Sequence, residues 1–168
     1  MRVRFTVALA CLSVIVIAGC HSYGHLYPVQ GPLASMSPPP IYTFSYTFPG
    51  SPKSEHDQNG TFSMVLPNGE VFQGPWKMTY QKSAMQGAAA GAPQSSTMAA
   101  AWDTVYGPGF YVAHILGSKP YFMHSTLTGS KGTILQVEWY VPNFIGTTIM
   151  GTNGIAEDSN GNIYKLVL

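Results

Sequence analysis

The sequence predicts an all-β domain, a small antiparallel sandwich or barrel, behind a signal peptide and a proline-rich tether. Three observations carry this prediction. From Ile41 to Phe48 the aromatics Tyr42, Phe44, Tyr46 and Phe48 alternate with Thr43, Ser45 and Thr47, which is the two-residue period of a half-buried strand. Later short apolar runs are separated by Gly, Pro and Asn turn chemistry, with no long helical period. Only 9% of the 168 residues are charged and 12% are aromatic. That composition excludes disorder throughout and a long coiled coil, and the length fits one domain.

The first segment is an address. Met1 to Arg4 is a short basic stretch, Phe5 to Ile17 is apolar, and Ala18-Gly19 are the small residues a signal peptidase accepts. The apolar run is too short to cross a hydrocarbon core of ~30 Å comfortably. Ile17-Ala18-Gly19-Cys20 resembles the lipobox of bacterial lipoproteins, with Ile17 where the family prefers Leu. The resemblance implies removal of residues 1–19, diacylglycerol attachment to the Cys20 thiol and acylation, as with palmitate, of the new amino terminus. His21 rather than Asp after the cysteine implies export to the outer membrane, on its periplasmic face or at the cell surface. Two or more acyl chains give stable attachment, at ~0.8 kcal/mol per buried methylene. Loss of the leader removes Arg2 and Arg4, taking the basic count from 8 to 6, all lysine, against 7 acids. A chain without arginine is poorly equipped for bidentate phosphate recognition, so nucleic acid is not an expected partner.

Residues 20–40 read as the lipidated start and a tether, because Pro28, Pro32, Pro38, Pro39 and Pro40 favour extended polyproline conformation. His21 and His25 are a weak candidate metal pair; a solvated tether is the simpler reading. The single β domain is then 41–168. Thr61 to Tyr80 reads as a hairpin around a type I′ turn at Asn68-Gly69. In the uncharged Ala/Gly/Ser/Met stretch from Ser83 to Ala101, Ser95 or Ser96 is placed to cap a short helix through Thr97 to Trp102, while a small-residue strand or a loop fits the composition equally. Phe110 to Leu116 and Tyr121 to Leu127 read as a second hairpin around Gly117 to Pro120. Thr133 to Val141 alternates again, and Gly154 to Glu157 with Asn162 to Leu168 form a third hairpin around Ser159-Asn160-Gly161.

Two segments, Asn68 to Phe72 and Asn160 to Tyr164, share the pattern Asn-Gly-x-aliphatic-aromatic. They resemble the hairpins of MORN-type repeats, although two distant copies are too few for a stacked array. The tail from Thr126, with Gly132-Thr133, Val137-Glu138-Trp139 and Gly154 to Leu168, resembles the C-terminus of small exported bacterial lipoproteins. That likeness brings no activity with it.

The chemistry-bearing motifs are sparse. The patterns G-x-S-x-G, H-E-x-x-H and G-x-x-x-x-G-K-[ST] are absent from the sequence, and no cofactor is implied. His114 and His124, on two arms of one expected hairpin, are a candidate metal or acid–base pair, along with His56 elsewhere. Glu70, Glu138, Glu157, Asp103 and Asp158 offer carboxylates for glycan hydrolysis, but no spacing selects two of them. Asp158 more simply supports its turn. Trp76 and Trp139 are expected in the core, whereas Trp102 and Tyr106 are the candidates for an exposed ligand-binding surface. The expected function is therefore a membrane-anchored, non-enzymatic envelope lipoprotein whose β domain binds or scaffolds a protein or glycan. The alternative is a glycan- or hydrolase-binding module. Small periplasmic lysozyme inhibitors are lipoproteins of that kind, but they usually carry a disulfide that this chain cannot make after losing Cys11.

Overall fold

A computed structural model describes residues 21–47, 59–80, 96–116, 121–141, 143–145, 148–150 and 152–168. In chain order the strands are β1 (His21–Gln30), β2 (Tyr42–Thr47), β3 (Asn59–Val65), β4 (Val71–Tyr80), β5 (Tyr121–Thr128), β6 (Ile134–Val141), β7 (Asn143–Ile145), β8 (Thr148–Met150), β9 (Asn153–Asp158) and β10 (Ile163–Val167). Helix α1 (Ser96–Tyr106) and a π-helix (Tyr111–Leu116) lie between β4 and β5. Eight strands close into an antiparallel barrel ordered β1-β10-β9-β6-β5-β4-β3-β2, and β7 pairs with β8 separately. The all-β expectation holds, and of its two forms the barrel is the one adopted.

Alternation explains the closure. Tyr42, Phe44 and Tyr46 of β2 point inward, and so do Phe62 and Met64 of β3 and Leu135, Val137 and Trp139 of β6. The lumen is packed with side chains, as an eight-stranded barrel permits. Phe44 stacks on Phe62 at 4.8 Å, and Trp76 meets Trp139 edge-on at 5.8 Å. Trp76 and Trp139 are thus in the core, as expected. Packing is tight at Gly60, where a Cβ would lie 1.8 Å from the Thr47 carbonyl oxygen and 2.5 Å from Trp76 Nε1. The Trp76 indole N–H donates to that same carbonyl at 3.1 Å, so the contact requires glycine.

Three sequence expectations give way. The tether begins as a strand: β1 pairs with β2 from His21↔Thr47 to Leu26↔Tyr42, and with β10 from His25↔Val167 to Gln30↔Ile163. The barrel therefore includes His21–Gln30, which the sequence assigns to the tether. Pro28 is tolerated because β1 has by then run past its β2 partners, and the β10 register shifts between Pro28 and Gln30. Residues beyond Gln30 fold over the barrel end, where the Leu33 N–H donates to Asn162 Oδ1 at 2.9 Å. The second hairpin does not form, because Tyr111–Leu116 is π-helical and β5 pairs with β4 and β6. The Asn68-Gly69 turn is not type I′, since positive φ is confined to glycine.

That turn is one of three with the same build. Leu66 to Glu70, Gly129 to Thr133 and Asp158 to Asn162 each close with two backbone bonds around a glycine of φ 79°, 94° and 81°. This is the three-residue hairpin with a left-handed glycine in a bulge. The turns interlock at one end of the barrel. Ser130 N–H donates to Val71 O at 2.9 Å, while Val71 N–H donates to Ser130 Oγ at 3.0 Å. Ser159 and Ile134 repeat the exchange at 2.9 and 3.1 Å.

Candidate functional site

Helix α1 packs across the outside of the barrel on β9 and β10. Its first residue is Ser96, one of the two serines the sequence offers as a cap, and its Ala-rich first turns suit close packing. With the π-helix it covers Phe122, Tyr140, Ile155 and Ile163, the outward apolar residues of four strands, forming a second core. Asp103 joins the two helices, its carboxylate accepting from Gly109 N–H at 3.1 Å and Tyr111 N–H at 2.9 Å.

Trp102, Tyr106, Phe110 and His114 recur every fourth residue and stack in a row, with successive ring centroids 5.5, 4.7 and 4.5 Å apart. Trp102 is fully buried and its indole N–H donates to Glu138 Oε2 at 2.8 Å. Tyr106 is half-buried. Its hydroxyl donates to Gly154 O at 3.1 Å and accepts from Gly154 N–H at 3.0 Å, while Lys165 Nζ sits 5.6 Å from its ring centroid. The pair expected to form an exposed surface instead fastens α1 to the barrel. An indole whose one donor meets a carboxyl in an apolar layer is more stable inside than out.

Glu138 is the chemically distinctive residue. Burial under α1 pushes its carboxyl up to about 7, against the downward pull of the Trp102 N–H. The same burial, with the Glu138 charge added, pushes Tyr111 up to about 12. Across the sheet Glu138 lies opposite His124 on β5, and His124 opposite Lys77 on β4. Directly opposed side chains have Cβ atoms ~5 Å apart, so carboxyl, imidazole and ammonium form a row on the outer face. Burial lowers the His124 pKa and Lys77 lowers it further, which keeps the ring neutral near pH 7. Among the described residues no three or more His, Cys, Asp or Glu side chains are grouped to hold a metal.

The remaining candidates are scattered. His21 and His25 lie on the outer face of β1 four residues apart, ~13 Å along a strand, too far to share an ion. His25 Nδ1 is instead 3.3 Å from Thr43 Oγ1. His114 is on the π-helix and His124 on β5, so they are not facing arms of a hairpin. Glu70 is buried and accepts from Thr133 N–H at 3.1 Å, Thr133 Oγ1 at 3.0 Å and Lys131 N–H at 3.3 Å. Asp158 supports its turn, as expected, through Asn160 and Asn162 N–H at 2.9 and 3.0 Å, and accepts from Tyr164 at 2.6 Å. Glu157 lies on β9 opposite Gln136 and Ile163. Cys20 and His56 lie outside the described residues. Sequence reasoning missed Phe110 and Tyr111, although the four-residue spacing of Trp102, Tyr106, Phe110 and His114 was a readable helical signal. Comparison with protein families, characterised proteins and solved structures gives no significant match.

Proposed function

We propose that this chain is an exported lipoprotein, held at the cell envelope by lipid on Cys20, whose β-barrel binds or scaffolds a partner there without enzymatic activity. The observation that carries the reading is the lipobox-like Ile17-Ala18-Gly19-Cys20 standing directly before the first barrel strand, which starts at His21. Cleavage at that point would leave the whole barrel intact and add lipid to its first free residue. The packed lumen supports recognition on the outer surface rather than inside. The row of Glu138, His124 and Lys77 supports a proton-sensitive contact more than glycoside hydrolysis, which canonically uses two carboxyl groups flanking the bond.

Metabolic labelling with radioactive palmitate tests this. The parent protein takes up label and sediments with membranes, whereas Cys20→Ala does neither. Label retained by Cys20→Ala removes the assignment.

A further inference from the structure

The two helices lie over β5, β6, β9 and β10. Among the described residues no helix packs on the outer face of β1, β2 and β3. Charged side chains, sparse along the whole chain, are missing here altogether: the three strands contain no Asp, Glu, Lys or Arg. Alternation sends their apolar set into the lumen and leaves rings, hydroxyls and an amide outside. Val29 and Val65 are outward aliphatic exceptions, and both stand at the tight-turn end.

Register arranges the outward side chains in rows between the two ends of the barrel. Tyr23 opposes Ser45, Ser45 opposes Ser63, and Ser63 opposes Gln73 of β4. Directly opposed side chains stand ~5 Å apart, so one row spans four strands. Tyr23 is 64% exposed, Gln73 is exposed, and the two serines between them are half-buried. The result is a shallow trough, floored by hydroxyls and walled by a phenol and an amide. In the next row His25 opposes Thr43, whose hydroxyl holds the imidazole. The His25 ring meets that of Tyr27 edge-on at 6.2 Å. Alternate residues of a strand are ~6.7 Å apart, so Tyr23, His25 and Tyr27 form a column ~13 Å long.

These groups suit an uncharged, polyhydroxylated ligand. Serine and tyrosine hydroxyls both donate and accept, as sugar hydroxyls do, and an aromatic face can cover the C–H face of a pyranose. A fixed charge would lose its water against such a ligand without gaining a counter-charge. A phosphate or carboxylate would find no cation on the three strands, and Lys165, opposite Tyr27, lies over the Tyr106 ring instead. A protein interface centres on desolvated apolar side chains, and here the aliphatic ones are at the margin.

We infer that the outer face of β1 to β3 binds an uncharged glycan, a pyranose chain laid along the Tyr23–Tyr27 column with its hydroxyls on Ser45, Ser63 and Gln73. The inference rests on the reading of the barrel as an envelope binding module and names the chemistry of its partner. Trp102 and Tyr106 are fastened inward, whereas this aromatic surface is open.

Saturation-transfer NMR on the lipidated protein in a sugar-free detergent tests it. Cellotetraose and the N-acetylglucosamine tetramer are the neutral probes, and trigalacturonate is the acidic one. At least one neutral tetramer is expected to receive saturation, with Tyr23→Ala and Ser45→Val each weakening its titration several-fold. Both side chains face outward, so the variants keep the core. Val112→Ala, at an equally exposed position on the π-helix, leaves the titration unchanged. No saturation of either neutral tetramer, full binding by Tyr23→Ala and Ser45→Val, or preference for trigalacturonate overturns the inference. A photo-crosslinker at position 23 in cells reports the other occupant: a glycosidase-resistant adduct to a second protein overturns it too. Intact mass of the same preparation reports the lipid on Cys20. Failure to bind with lipid in place overturns this inference and leaves the anchor standing, whereas a mass without lipid overturns the anchor and leaves the titration to decide the glycan.

Discussion

At the residue scale the molecule's chemistry concentrates on Glu138. Burial raises its folded pKa from 4.5 to about 7, so between those values the fold holds a proton that the unfolded chain releases. Stability from this group is fully present below pH 4.5 and is lost as pH rises through about 7, a change of about 3 kcal/mol. His124 acts in the opposite sense: its lowered pKa makes the fold less stable as pH falls below 6.5. The parent–variant difference is therefore the useful readout. In urea unfolding at pH 5 and pH 8, Glu138→Gln keeps an acceptor for Trp102 and is expected to gain on the parent at pH 8 by about 1–3 kcal/mol, the cost removed with the charge. An unchanged difference between the two pH values would show that Glu138 is not desolvated. The sequence made Glu138 a candidate carboxylate but could not select it. Its desolvation comes from α1, which is distant along the chain and meets it through the Trp102 N–H.

At the element scale the three glycine-bulge turns act as one structure. Glu70, from the first turn, satisfies two backbone N–H groups and a hydroxyl in the second. Asn162, from the third, receives the Leu33 N–H of the segment after β1. Glu70→Ala is expected to cost about 3 kcal/mol, because it strands buried donors rather than merely deleting one contact. Hydrogen exchange should place the loss in the second turn, with faster exchange of the Lys131 and Thr133 amides; a loss confined to the first turn would contradict the coupling. Two of these turns were legible as Asn-Gly pairs. The second, at Lys131-Gly132, was not, since its glycine has no Asn before it, and only the shared geometry makes the set visible. The Tyr111–Leu116 helix was hidden for the converse reason. Tyr111, Val112, Ala113, Ile115 and Leu116 are apolar at both parities, and the Asp103 carboxylate that starts the turn lies outside the segment.

At the scale of the whole molecule, β1 is the strand that closes the barrel, pairing with β2 on one side and β10 on the other. Deleting it would expose two unpaired strand edges and open the packed lumen to water. A chain beginning at His21 is expected to unfold cooperatively in urea, whereas one beginning at Ile41, the boundary its proline content suggests, should lack a cooperative transition and aggregate. Cooperative unfolding of the shorter chain would place the domain boundary where the sequence alone puts it. The error has a plain cause. Gly24, Leu26 and Pro28 do alternate inward along β1, but one small residue and one proline give too weak a period to stand out from a polyproline tether.

The sequence by itself determined the inward face of most strands, two of the tight turns and the core positions of Trp76 and Trp139. These follow from local rules, because a strand's side chains alternate and turn residues set their own φ whatever lies elsewhere in the chain. Only the tertiary structure decided that β1 belongs to the barrel, that Trp102 and Tyr106 are fastened inward, and that burial raises the Glu138 pKa. Each of those depends on a partner far along the chain: a β10 edge to pair with, a β9 carbonyl to bond, a helix to exclude water. Pairing and desolvation are properties of the assembled fold, and no window of the sequence contains both partners.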